Sequence, residues 1–95
     1  MITVTAHTTK GRPVTSSAEL DPDRWRAAPN GFQYRDAVTL DVTKKTEGET
    51  LLVVVDWHGR RAVSQVLDYS PRLEPGDKLT VSGVVVAVLH DDWPS

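Results

Sequence analysis

Trp57, Arg60 and Arg61 are grouped around a His58-Gly59 dipeptide. An aromatic ring beside two guanidinium groups can stack on a nucleobase and neutralise phosphate, and each stacked base is worth about 1–3 kcal/mol. Lys44 and Lys45, in a polar stretch, and the neighbouring Tyr34 and Arg35 offer the same chemistry at other points of the chain. Each has a plainer role open to it. Trp57 can cap a core with Arg60 stacked on it, Arg61 can pair with Asp56, and Lys44-Lys45 can be an ordinary solvated loop beside Glu47 and Glu49. Arg24-Trp25-Arg26 is a further basic and aromatic cluster, in which Trp25 is expected to anchor its segment to the core.

Residues for bond-making chemistry are sparse. His7, His58 and His90 lie far apart, with no His-x-His or His-x-x-x-His spacing, and there is no cysteine. No metal centre, disulfide or thiol chemistry is therefore expected. Ser64 and Ser70 lack a Gly-x-Ser-x-Gly context, and no glycine-rich phosphate loop occurs. The chain reads as a protein that is not an enzyme and uses no cofactor.

The charge balance narrows the partners. Eleven Lys and Arg against 13 Asp and Glu give a formal net charge of -2. A dedicated double-stranded DNA binder is usually basic overall, so nucleic-acid binding would need a local patch. No apolar run reaches membrane-spanning length, and Met1-Ile2-Thr3-Val4-Thr5 has no basic region leading into an apolar one. A cytoplasmic protein that does not enter membranes is the expectation.

The elements that must position these residues are strands. Valine dominates the apolar positions and threonine is common, both of which fit a pleated sheet. Residues 2–7 alternate, with Ile2, Val4 and Ala6 on one side and Thr3, Thr5 and His7 on the other. Thr8-Thr9-Lys10-Gly11 is a turn, and residues 12–15 return as a short edge strand, because Pro13 cannot donate within a ladder. Asp21-Pro22-Asp23 has the form of a helix start, which predicts one short helix through Arg24-Trp25-Arg26-Ala27-Ala28, ended by Pro29-Asn30-Gly31. Val38, Leu40 and Val42 share one face of a further strand.

Residues 51–57 and 60–67 form a predicted hairpin with a two-residue turn at His58-Gly59. That register sets Trp57 opposite Arg60, Asp56 opposite Arg61, Val55 opposite Ala62 and Val54 opposite Val63. Leu51, Val53, Val55, Ala62 and Val66 then face the core. Leu52, Val54 and Val63 face outward, too apolar to stand bare. Pro75-Gly76 suits a type II turn, and the β-rich run after it contains Gly83. Twelve residues of strand would span about 40 Å, so Gly83 is the expected bend.

The segments Val53-Val54-Val55-Asp56-Trp57-His58-Gly59 and Leu73-Glu74-Pro75-Gly76-Asp77-Lys78-Leu79-Thr80-Val81-Ser82-Gly83-Val84-Val85 resemble the second-to-third and fourth strands of the OB-fold, a five-stranded Greek-key barrel. The likeness covers roughly residues 37–89. It implies an all-β fold, a small five- to six-stranded barrel, with the one short helix packed on it. Residues 1–36 would pack on the barrel, 37–90 would form it and 91–95 would be an acidic tail. A fifth strand comes either from the chain beyond Gly83 or from residues 2–7.

The resemblance also implies a partner, single-stranded nucleic acid, held by Trp57, Arg60, Arg61, Lys44, Lys45, Tyr34 and Arg35. Asp91-Asp92-Trp93-Pro94-Ser95 is similar to the acidic tails of bacterial single-stranded-DNA-binding proteins, which recruit partner proteins. It implies a partner-binding role for Asp91, Asp92 and Trp93. The other function class that the residues allow is a non-enzymatic assembly or adaptor module, binding a protein partner or a second copy through the Leu52, Val54 and Val63 face.

Overall fold

Strand formation follows the valine and threonine alternation. The structure is a computed structural model that describes residues 2–29, 31–57, 59–67 and 72–86. It is all-β, and no helix occurs among the described residues. The strands are β1 (Ile2–Thr8), β2 (Ala18–Leu20), β3 (Trp25–Ala28), β4 (Gly31–Tyr34), β5 (Val38–Asp41), β6 (Leu51–Trp57), β7 (Arg60–Leu67), β8 (Lys78–Val81) and β9 (Val85–Val86). They form three antiparallel sheets, ordered β2-β1-β6-β7, β3-β4-β9 and β5-β8. The sheets enclose one apolar core, and among the described residues they do not close into a single hydrogen-bonded barrel.

β1 is a central strand. Ile2, Val4 and Ala6 are buried in the core, while Thr3, Thr5 and His7 point to the opposite face. After the turn, Gly11 donates its N–H to the Thr8 carbonyl at 2.9 Å. The edge strand expected over residues 12–15 is not formed: the chain returns past β1 through one isolated bridge, His7 with Pro13, and then bridges Val42, after β5, through Thr15.

The helix expected over residues 21–28 is not formed. Asp21-Pro22-Asp23-Arg24 is a turn instead, with the Arg24 N–H on the Asp21 carbonyl at 3.1 Å and the Asp23 N–H on Asp21 Oδ1 at 2.9 Å. Aspartate and proline open β-turns as readily as helices. Too few residues then precede Pro29 to offset helix nucleation. Trp25–Ala28 pairs with β4 as β3, and Trp25 meets Tyr34 edge-to-face at 5.0 Å. Trp25 packs against the core, so its anchoring role survives the change of backbone.

The β6–β7 hairpin has the expected register from Trp57–Arg60 to Val54–Val63. Beyond that point Ser64 is an extra residue, and Val53 faces Gln65. This bulge reverses the inward and outward alternation of the remaining β7 residues. Val66, expected in the core, is 48% exposed, and Leu67 is buried in its place.

Pro75-Gly76 makes the expected turn, with the Asp77 N–H on the Glu74 carbonyl at 3.0 Å and Gly76 at φ 97°. Gly83 has φ 66° and stands between β8, which pairs with β5, and β9, which pairs with β4. The chain changes sheet there, as a bend at a glycine allows. Among the described residues, no helix is long and apolar enough to cross a membrane.

Candidate interaction surface on the four-stranded sheet

The residues expected to form one basic and aromatic groove are distributed over three sheets. Tyr34 and Arg35 lie at the end of β4 in the three-stranded sheet. Lys44 and Lys45 follow β5 of the two-stranded sheet, and Trp57, Arg60 and Arg61 belong to the four-stranded sheet.

Within the hairpin, strand alternation separates them further. Trp57 pairs with Ile2 on one side and Arg60 on the other, and its half-buried ring packs against the core. Arg61, one position on, leaves the opposite face. Its Nε donates to Asp56 Oδ2 at 3.1 Å, while Asp56 Oδ1 accepts the Gly59 N–H at 3.1 Å. This is the cross-strand pair that the register predicts.

Tyr34 belongs to the core. It is 8% exposed, and its hydroxyl accepts the Asp21 N–H at 3.0 Å. A ring held in this way offers no face to a base. Arg35 is exposed, and its N–H donates to the Arg24 carbonyl at 2.9 Å. Lys44 is exposed with its N–H on the Val14 carbonyl at 3.2 Å. Lys45 Nζ lies 3.3 Å from Glu47 and 3.9 Å from Glu74. Its hydrogen bond to Glu47, followed by the charges of Glu47 and Glu74, raises its pKa. Asp91, Asp92 and Trp93 lie outside the described residues, as does His58.

The outer face of β1, β6 and β7 carries two features side by side. The first is an apolar strip. Val63 is 57% exposed and Val66 48%, directly across from half-buried Val54 and Leu52. Expectation included three of these four; Val66 was placed in the core because the turn register, continued without a bulge at Ser64, turns it inward.

The second feature is a polar cleft of about 430 Å³, lined by Thr5, His7, Ser16, Ser17 and Arg61 among others. Thr5 Oγ1 and Ser17 Oγ are hydrogen-bonded at 2.8 Å. Buried Thr15 supports the floor, its hydroxyl accepting the Ala6 N–H and donating to the Ser16 carbonyl, each at 3.0 Å. Burial lowers the His7 pKa, the Arg61 charge lowers it further, and the Gly11 backbone opposes both. The outward alternation of Thr5 and His7 was the legible half of this cleft. Ser16 and Ser17 lie in a stretch without periodicity.

No group of three or more His, Asp or Glu among the described residues is placed to hold a metal ion. No protein-family model, curated protein or solved structure matches the chain.

Proposed function

We propose that the chain is a non-enzymatic assembly module, which associates with a second copy of itself through the outer face of the four-stranded sheet. The observation that carries this reading is the strip of Leu52, Val54, Val63 and Val66 on the outer face, which the Ser64 bulge completes by turning Val66 outward. Contiguous exposed apolar surface marks interaction sites more often than scattered single residues do. A formal net charge of -2 offers little self-repulsion. Association uses the face in preference to the β7 edge. That edge is broken by the bulge, carries Arg60 and Arg61, and is tied by Ser64 to Val85 of β9 and by Gln65 to Ser82 before it. The three sheets are read as segments of one OB-like barrel. The Thr15–Val42 bridge, the β7–β9 contacts and the chain crossing at Gly83 support this.

Light scattering tests the reading. At about 100 μM, a dissociation constant near 1 μM leaves mostly dimer, with twice the chain mass of 10.5 kDa. The Val63→Asp/Val66→Asp double variant should be monomeric. A monomeric parent chain at that concentration overturns the proposal.

A second reading, single-stranded nucleic-acid binding, is favoured by exposed Arg60 and Arg61 at the hairpin tip beside Trp57. Its test is titration of a fluorescent oligonucleotide at low salt. No binding at tens of micromolar, or binding without salt dependence, removes it.

A further inference from the structure

We infer that the polar cleft between β1 and residues 16–17 is a binding site for a small phosphomonoester, held by Arg61, Thr5 and Ser17. The inference is independent of self-association, since the cleft lies beside the apolar strip and uses none of its residues.

The donors carry the argument. Arg61 meets Asp56 through Nε alone, and among the described residues its two Nη groups have no hydrogen-bond partner while the side chain lines the cleft. Two Nη groups present a fork that matches two phosphate oxygens. The Thr5–Ser17 pair adds a further donor. When two hydroxyls bond to each other, one hydrogen is used and the acceptor's own hydrogen stays available for a third group. His7 lines the same wall, but its imidazole already bonds the Gly11 backbone and is not counted as a donor. Thr15 is not counted, because its hydroxyl is already spent on Ala6 and Ser16.

The electrostatics agree on sign. No carboxylate lines the cleft among the described residues. Asp56, the acidic neighbour of Arg61, already accepts from Gly59 and Arg61. Glu19 faces a different hollow, with Leu20, Asp21 and Pro22. A cleft of about 430 Å³ falls within the usual range for small-molecule sites. A phosphate dianion presents three terminal oxygens to donors converging from β7, β1 and the returning segment. A carboxylate presents only two.

Titration of isotope-labelled protein with inorganic phosphate and with glycerol 3-phosphate tests the site, against sodium chloride at matched ionic strength. The expected result is saturable shifts of the Thr5, His7, Ser16 and Ser17 signals, with glycerol 3-phosphate binding more tightly than phosphate. The Arg61→Met/Asp56→Asn double variant keeps the local charge balanced. It should weaken binding roughly tenfold or more, the usual worth of a charge-assisted hydrogen bond. Ser17→Ala should weaken it by a smaller factor. Shifts that match the chloride control overturn the inference, as does binding unchanged in both variants. An oligonucleotide without terminal phosphate that shifts these signals, where glycerol 3-phosphate does not, also overturns it and favours the nucleic-acid reading.

Discussion

Ser64 Oγ accepts the Val85 N–H at 2.8 Å, and so the bulge in β7 ties the four-stranded sheet to β9. The neighbouring Gln65 Nε2 reaches the Ser82 carbonyl at 3.2 Å. One extra residue in a strand thus does two things. It points a hydroxyl at another sheet, and it turns Val66 outward.

Ser64→Ala keeps the bulge but leaves the Val85 N–H without its acceptor in a partly buried position. The expected loss is about 1–3 kcal/mol, the range for an orphaned buried donor. Urea unfolding checks it, with a lower midpoint and an unchanged slope. An unchanged midpoint would mean that water replaces the hydroxyl there.

Gly83 tests the change of sheet. A side chain at φ 66° costs roughly 1–2 kcal/mol in backbone strain. An added Cβ would meet Gln33 Nε2 at 3.4 Å, an ordinary contact, so strain is the larger effect. Gly83→Val should therefore lower the melting temperature more than Gly83→Asn, since asparagine tolerates the left-handed region. Equal melting temperatures for the two variants would show that strain is not the cause.

Tyr34→Phe removes the acceptor of the Asp21 N–H and keeps the ring against Trp25. It should cost about 1–3 kcal/mol of stability in thermal or chemical unfolding. Oligonucleotide affinity, if any is measured, should not change, because the ring is buried. A large loss of affinity with stability intact would restore Tyr34 to a binding role.

His7 gives the fold a pH dependence of known sign. Its folded pKa is lowered from the ordinary 6.5, by burial first and then by the Arg61 charge, against the opposing Gly11 backbone. Between the two values the unfolded chain holds more protons than the folded one. The His7 contribution is therefore complete above the unfolded pKa and is lost as pH falls through the folded value. Replacing His7 with glutamine should flatten the stability profile on the acid side of pH 6.5, relative to the parent chain. Identical profiles would remove His7 as the cause.

The legible parts of this fold are those governed by local rules. Alternation revealed β1, and the Pro75-Gly76 and Gly83 positions announced a turn and a change of direction. The two-residue hairpin fixed which residues of β6 and β7 oppose each other near the tip. The hidden parts depend on partners distant in sequence. Residues 21–28 carry a real helix-start signal, and the ladder to β4 overrides it. The register of the turn, continued without a break, sets Ser64 on the inward face between Ala62 and Val66, and its partner Val85 is distant in sequence. The expected binding residues are spread over three sheets for a related reason. Sequence proximity grouped Tyr34 with Arg35 and Trp57 with Arg61, but alternation sends the members of such sets to opposite sides.

The position of β1 between β2 and β6 bears on how the chain reaches this structure. Ile2 pairs with Trp57 and Thr8 with Leu51, so each rung of that ladder joins residues about half the chain apart. During synthesis, β1 waits for its principal partner until β6 has been made. Closing so long a loop precedes the stabilisation that the ladder supplies, which places the domain among slow-folding, nonlocal β topologies. Until β6 arrives, β1 has only the short β2 beside it, and the apolar row of Ile2, Val4 and Ala6 is open along its other edge. The interval before that pairing is when the chain is most open to aggregation.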